Sequence, residues 1–483
     1  MEYLRFDRLL MTNLEKSLDK EMLRTNRAGA YSSGTIVDCN TRKYHGLLVV
    51  PVENIGGNHV LLSSCDETII QHGAEFNIGL HKYAGDHYSP RGHKYIREFR
   101  MGAVATTIYR IGGVILQKER ILVSSENRVL VAYTLLDAHS ATTLRLRPFL
   151  AFRSVDKLTE KNNVARTDYE EVDNGVAFCM YEGYPNLVMQ TNKQAQWVSE
   201  PNWYDGVEYS KEAERGYAFK EDLFVPGYFE LSIKKGETVV FSAGTNAISS
   251  RKLKRLFEDE KETRTERTDF ISCLKNSALQ FYNKLSDGSY LLAGAPWFKY
   301  RARDQFVALP GATLYADDDT LFDKVMDRAI VALREFMENK PATTHLSEVD
   351  SPDVLLWAIW AIQQYAIKKG AEVAATKYGQ LVFDIVNYIR RQQHPNLFVH
   401  DNGLLYVNGT EKPATWMNAV ENGWPITPRT GYVVEINALW YNALKFAAEL
   451  ATAMKVDNQA DLFDYQAGIS GQSLVGKFWN GTY

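Results

Sequence analysis

The sequence predicts a multidomain β-plus-α molecule, an N-terminal antiparallel β-sandwich followed by an incomplete ring of paired helices. Three observations carry that expectation. From about Thr35 to Phe241 apolar residues alternate with polar ones at a period of two. After about residue 290 they recur at i, i+3, i+4 and i+7. Between the two lies a charge-dense stretch, 251–282, in which apolar residues keep helical spacing. A chain of 483 residues also exceeds what one ordinary core serves.

In the first part, GGVILQKERILV (112–123), NRVLVAYTLL (127–136) and TLRLRPFLAF (143–152) are β-branched and aromatic runs separated by the turn signals IGG, SSEN and DAHS. Strands in such number, with no helices between them, indicate two stacked antiparallel sheets. The expected boundaries are 1–248 for the sandwich, 249–290 for a helical linker and 291–483 for the helical domain. Helices are expected in 320–340, 351–370, 375–392 and 434–454, joined alternately by short turns and by long aromatic loops such as EKPATWMNAVENGWPITPRTG. That alternation suggests a toroid of helix pairs with a site at one end. About five helices fit, so the ring is expected to stop part-way.

Charged residues make up 24% of the chain and the net charge is −4, so no basic excess attracts nucleic acid or an anionic membrane. The N-terminus carries charges in every turn and has no apolar h-region, which excludes a signal peptide as the reading of that segment. No run approaches the roughly 18 apolar residues of a spanning helix. Cys39, Cys65, Cys179 and Cys273 are scattered, with no metal-ligand spacing, which suggests a reducing, cytoplasmic setting. The 12% of aromatic residues would supply flat rings for sugar faces, although β-rich cores account for them equally well.

Four segments concentrate polar chemistry. In NTRKYHG (40–46) an elaborate turn, with Arg42 and His45 satisfied structurally, competes with a loop reaching toward a site. In APWFKYRARDQF (295–306), Trp297 offers an aromatic wall, and Arg303 beside Asp304 suits bidentate recognition of hydroxyls, whereas Asp304 alone also reads as a helix-capping charge. Asp350-Ser351-Pro352 reads as an N-cap with a proline in the first turn, leaving Asp350 the option of facing a pocket. In 411–435, Trp416 and Trp424 bracket Asn418 and Glu421, and Arg429 and Glu435 follow. Asn418 also suits a turn, and Glu435 a first-turn carboxylate stabilised by the helix dipole.

NTRKYHGLLVV, APWFKYRARDQFVALPGATL, VDSPDVLLWAIWAIQQY and TWMNAVENGWPITPRTGYVVEINALWYNAL, in that order, resemble the bacterial and archaeal glycogen debranching enzymes. The resemblance implies a β-rich domain joined to an (α/α)6-barrel of amylo-α-1,6-glucosidase type, here a partial one. It implies hydrolysis of α-1,6-linked glucose at branch points of glycogen or related α-glucans by carboxyl acid/base catalysis, with no metal or organic cofactor. Arg303 and Asp304 match the family pair that binds terminal glucose. Trp416 and Met417 match the start of the acid-bearing loop, and Glu435, Asn437 and Trp440 match the Glu-Ile-Asn-Ala-Leu-Trp helix.

Two departures bear on the chemistry. The family loop continues Trp-Met-Asp with that Asp as proton donor, and here the position is Asn418, an amide that cannot protonate a leaving oxygen. The family's second catalytic carboxylate is expected beyond Tyr483. Arg301-Ala302 also replaces the usual Trp-Gly. In an active protein Glu421 or Glu435 takes the acid role or Asn418 is bypassed, and the helix dipole suits Glu435 better to accepting than to donating. The alternative is a non-catalytic α-glucan-binding protein with a degenerate site. A related hydrolase of trehalose or maltose phosphate ranks third, for want of a phosphate-binding cluster.

Overall fold

A computed structural model describes residues 3–482. The chain divides into two compact units, Met1–Gln280 and Phe281–Tyr483. The helices of the segment 251–278 therefore fall in the first unit, and the hairpin Tyr282–Leu285/Gly288–Leu291 falls in the second. No helix among the described residues is long and apolar enough to cross a membrane.

The first unit contains two large antiparallel sheets. One runs through nine strands, with Val114–Leu122, Arg128–Asp137 and Thr238–Gly244 adjacent at its centre. The other has eight, with Lys220–Ile233, Thr142–Ser154, Asn58–Gln71 and Gly46–Pro51 at its centre. Period-two alternation sends Leu48, Leu62, Leu146, Leu116, Val131 and Phe241 into one shared apolar core. The outer face of the first sheet is apolar as well where helix α1 (Leu253–Glu262) lays Leu253 and Phe257 over Leu130, Ala132 and Val240. Helix α2 (Phe270–Ala278) starts with a capping box between Asp269 and Ser272.

Two clusters of buried charge inside this unit are paired. Glu221 accepts both Arg153 guanidinium nitrogens Nε and Nη2 (the latter at 2.9 Å), the Tyr209 hydroxyl and the Thr159 amide. Lys118 joins Asp38 and Glu67, and Tyr133 donates to Glu67 at 2.6 Å. The NTRKYHG turn is of the structural kind. Arg42 donates to Glu21, the Thr41 amide donates to His45 Nδ1, and Asn40 donates to the Ser63 carbonyl.

His45 is buried, and burial pushes its imidazole down to about 3, with Arg42 adding to the effect. The folded state thus keeps His45 neutral while the unfolded chain takes up a proton near pH 6.5. Its contribution to stability is complete above that pH and is lost as pH falls toward 3. Between pH 7 and pH 5 the loss from this one group is expected to be about 2 kcal/mol. Urea titrations at both pH values should show a shallower acid dependence for His45→Gln. Equal slopes for the two proteins would refute the assignment.

The second unit is helical: α3 (Ala302–Ala312), α4 (Asp319–Met337), α5 (Val354–Lys369), α6 (Ala371–Arg390), α7 (Val434–Ala453) and α8 (Asp457–Phe478). Alternate helices touch, α3 with α5 and α5 with α7, while α4 touches α6. This is the pairing of an arc with inner and outer members. The inner helix α5 has apolar residues nearly all round, among them Leu355, Leu356, Ile359 and Ile362, and is buried along most of its length.

Candidate functional site

A cavity of about 650 Å³ lies within the second unit, inside the usual size range for a small-molecule site. Its polar side chains come from the N-terminal ends of the three inner helices. Arg303 and Asp304 stand in the first turn of α3, Asp353 is the N-cap of α5, and Glu435 stands in the first turn of α7. Each carboxylate is stabilised by the partial positive charge of its helix terminus. Leu291, Leu292, Val307 and Ala308 supply an apolar wall, and Trp357 and Trp416 supply aromatic faces.

Arg303 and Asp304 are side by side in sequence but not paired with each other. Arg303 donates through Nε and Nη2 to the two Asp353 oxygens, at 2.7 and 2.8 Å, and Asp353 also accepts the Trp357 indole N–H at 3.3 Å. Burial pushes the Asp353 carboxyl above the usual carboxylate range, against the pull of Arg303. Asp304 is exposed to the cavity. Glu435 is gripped through Oε2 by Arg429 Nη2 at 2.5 Å, while its Oε1 is buried without a hydrogen-bond partner among the described residues. Arg429 is held in turn by Met417 Sδ, 3.4 Å from Nη1. Its carbonyl crosses so close to Gly409 that a Cβ there would stand 2.6 Å from the oxygen.

The other expected site residues have different placements. Asp350 is ion-paired with Lys412 rather than facing the cavity, because α5 starts at Val354 and its N-cap is Asp353. Asn437 is fully buried. It donates to the Leu405 and Val433 carbonyls and accepts from the Leu405 amide, which pins the small sheet Leu397–Val399/Leu405–Val407/Gly431–Tyr432 to α7. Trp440 is buried too and donates to the Gly403 carbonyl. Neither reaches the cavity lining.

Glu421 is exposed on a two-residue hairpin, Val420–Glu421 against Trp424–Pro425. Asn422 and Gly423 both take positive φ at its tip, as a two-residue turn of this type requires. Trp424 is 60% exposed beside Glu421, and Asn418 is half-buried in the irregular segment leading into the hairpin. Trp297 lies half-exposed in the loop before α3, outside the lining, and Arg301 stacks on Phe298 and pairs with Glu348. The sequence reading missed Asp353 and Trp357. An aspartate directly before an uninterrupted apolar helix was the available signal.

Two family models match consecutive parts of the chain. Glycogen debranching enzyme N terminal matches residues 20–240, and amylo-alpha-1,6-glucosidase matches residues 271–482. Among solved structures, a bacterial glucoamylase complexed with acarbose is similar at 10% identity and TM-score 0.46, over 94% of this chain and 66% of that one. A GH78-family rhamnosidase from Bacillus sp. GL1 is similar at 14% identity and TM-score 0.34, over 65% of this chain and 34% of that one. A GH92-family glycosyl hydrolase is similar at 11% identity and TM-score 0.34, over 92% and 60%. The chain thus spans 66% or less of the length of each of these structures. No curated protein matches it.

Proposed function

The chain belongs to the glycogen debranching enzyme family, carrying its N-terminal and amylo-alpha-1,6-glucosidase parts in order, and on that premise we propose that it is a glycoside hydrolase acting on α-1,6-linked glucose in branched α-glucans. The observation that carries this reading is Glu435. Its Oε1 is a buried acceptor without a partner among the described residues, on a side chain that lines a cavity with Trp416, Asp304 and Arg303. A carboxylate ion-paired to a guanidinium is suited to accept a proton or orient a water, and Asp304 is suited to bind glucose hydroxyls. Glycoside hydrolysis also requires an acid on the leaving-group side. In this family that acid comes from the loop after Trp416-Met417, where this chain has Asn418.

That amide favours a second reading, in which the cavity binds branched glucan without cutting it. A reducing-sugar assay paired with calorimetry on a branched α-glucan separates the two readings. Glucose release supports the hydrolase, binding without release supports the binding protein, and neither signal refutes both. Asn418→Asp is the complementary test. Restoring a donor is expected to raise glucose release by about 10²-fold or more, measured as initial rate at fixed substrate. An unchanged rate would show that position 418 supplies no missing acid.

A further inference from the structure

Asp353 was not among the residues the sequence marked, yet it takes up most of the cavity's only lining cation among the described residues. Arg303 spends Nε and Nη2 on the two Asp353 oxygens. Nη1 has no partner among the described residues, and the side chain that carries it lines the cavity. The pair is almost dry, with side chains 8% and 3% exposed. Trp357 Nε1 adds a third donor to the carboxylate, so Asp353 is fixed from two sides.

A guanidinium so occupied keeps only its end-on N–H groups, the two on Nη1 and the second on Nη2, and its charge is cancelled at close range, so it attracts a phosphate or carboxylate far less than an unpaired guanidinium does. The remaining charges point the same way. Glu435 is matched by Arg429, and Asp304 has no cationic partner among the described residues. An anionic ligand entering this cavity meets repulsion and no free cation, which is how a site rejects a competitor of similar shape.

We propose that Asp353 is a positioning residue that acts through Arg303: it fixes the guanidinium and cancels its charge, so that the remaining end-on N–H groups donate to uncharged hydroxyls and the cavity takes neutral sugars while rejecting sugar phosphates and uronates. The sugar part of this inference rests on the glucan reading given above. The charge part does not.

The test is a set of calorimetric titrations of the full chain with methyl α-glucoside, glucose 6-phosphate and inorganic phosphate. The unmodified protein is expected to bind the neutral glucoside at least tenfold more tightly than either phosphate. Asp353→Asn is expected to weaken the glucoside at least tenfold and to tighten glucose 6-phosphate and inorganic phosphate at least tenfold, because the guanidinium is no longer fixed and its charge is no longer cancelled. A gain of anion affinity is a result that a merely structural role does not produce. Where Asp353→Asn fails to fold, the titrations of the unmodified protein decide, because its discrimination between the neutral glucoside and the two phosphates is read without any substitution.

Phosphate affinities unchanged in the folded Asp353→Asn protein would overturn the proposal. So would glucose 6-phosphate binding to the unmodified protein as tightly as the neutral glucoside. If no sugar binds the unmodified protein, the glucan reading fails, while the phosphate titrations still decide the role of Asp353.

Discussion

Glu435→Gln is expected to lower glucose release from a branched α-glucan by about 10²–10⁴-fold and to leave saccharide affinity within a few-fold. The amide keeps the shape and one acceptor oxygen, so Arg429 still has a partner, but it cannot take up a proton. The buried Oε1, unpartnered among the described residues, is the atom whose chemistry changes. Glu421→Gln serves as the internal comparison, because Glu421 stands exposed on the hairpin opposite Trp424 and outside the cavity lining. Initial rates of glucose release for the two variants check this. A Glu435→Gln protein that retains its full rate would remove Glu435 from the chemistry, and a large loss in Glu421→Gln would move the acid to the hairpin.

The second large effect concerns stability. Glu221→Ala is expected to destabilise the first unit by about 3–5 kcal/mol. Arg153 is 5% exposed and Glu221 0%. Glu221 also receives the Tyr209 hydroxyl and the Thr159 amide, so its truncation strands a buried guanidinium and two further donors. Chemical denaturation followed by far-UV dichroism reads the loss. The double variant Arg153→Met/Glu221→Met should recover much of it, since removing both charges avoids the uncompensated one. A loss below about 1 kcal/mol in Glu221→Ala would show that water or rearrangement replaces the lost partner.

The sheets and helices were legible because both units bury one regular periodicity. Val114–Leu122 and Arg128–Asp137 fall almost where the alternation places them, and so does α7. The candidate site was legible by halves. First-turn carboxylates at α3 and α7 were visible as such, but what each one faces depends on residues distant in the chain. Arg303 and Asp353 lie 50 positions apart, so nothing local shows that Arg303 is already engaged.

Asp350 and Asp353 are separated by one turn of chain. The proline at 352 drew the helix start too early, whereas the helix begins at Val354. Asn437 and Trp440 follow Glu435 on the same helix and look like site residues by proximity. Helical rotation carries them to the buried face, where an amide and an indole satisfy the backbone of the small sheet instead. Asn422-Gly423 was a readable hairpin signal that would have placed Glu421 on an exposed tip.

The central claim is that the cavity at the N-terminal ends of α3, α5 and α7 holds an α-glucan. Trp416 is the aromatic face of that cavity nearest solvent, 65% exposed, and its replacement disturbs no core. The decisive measurement is a calorimetric titration of the protein and of Trp416→Ala with one α-1,6-branched glucose oligosaccharide. One saturable site is expected in the unmodified protein, with affinity lowered about tenfold or more in Trp416→Ala, as the loss of an aromatic face from a binding site implies. Binding undiminished in Trp416→Ala, or no binding in either protein, would contradict it.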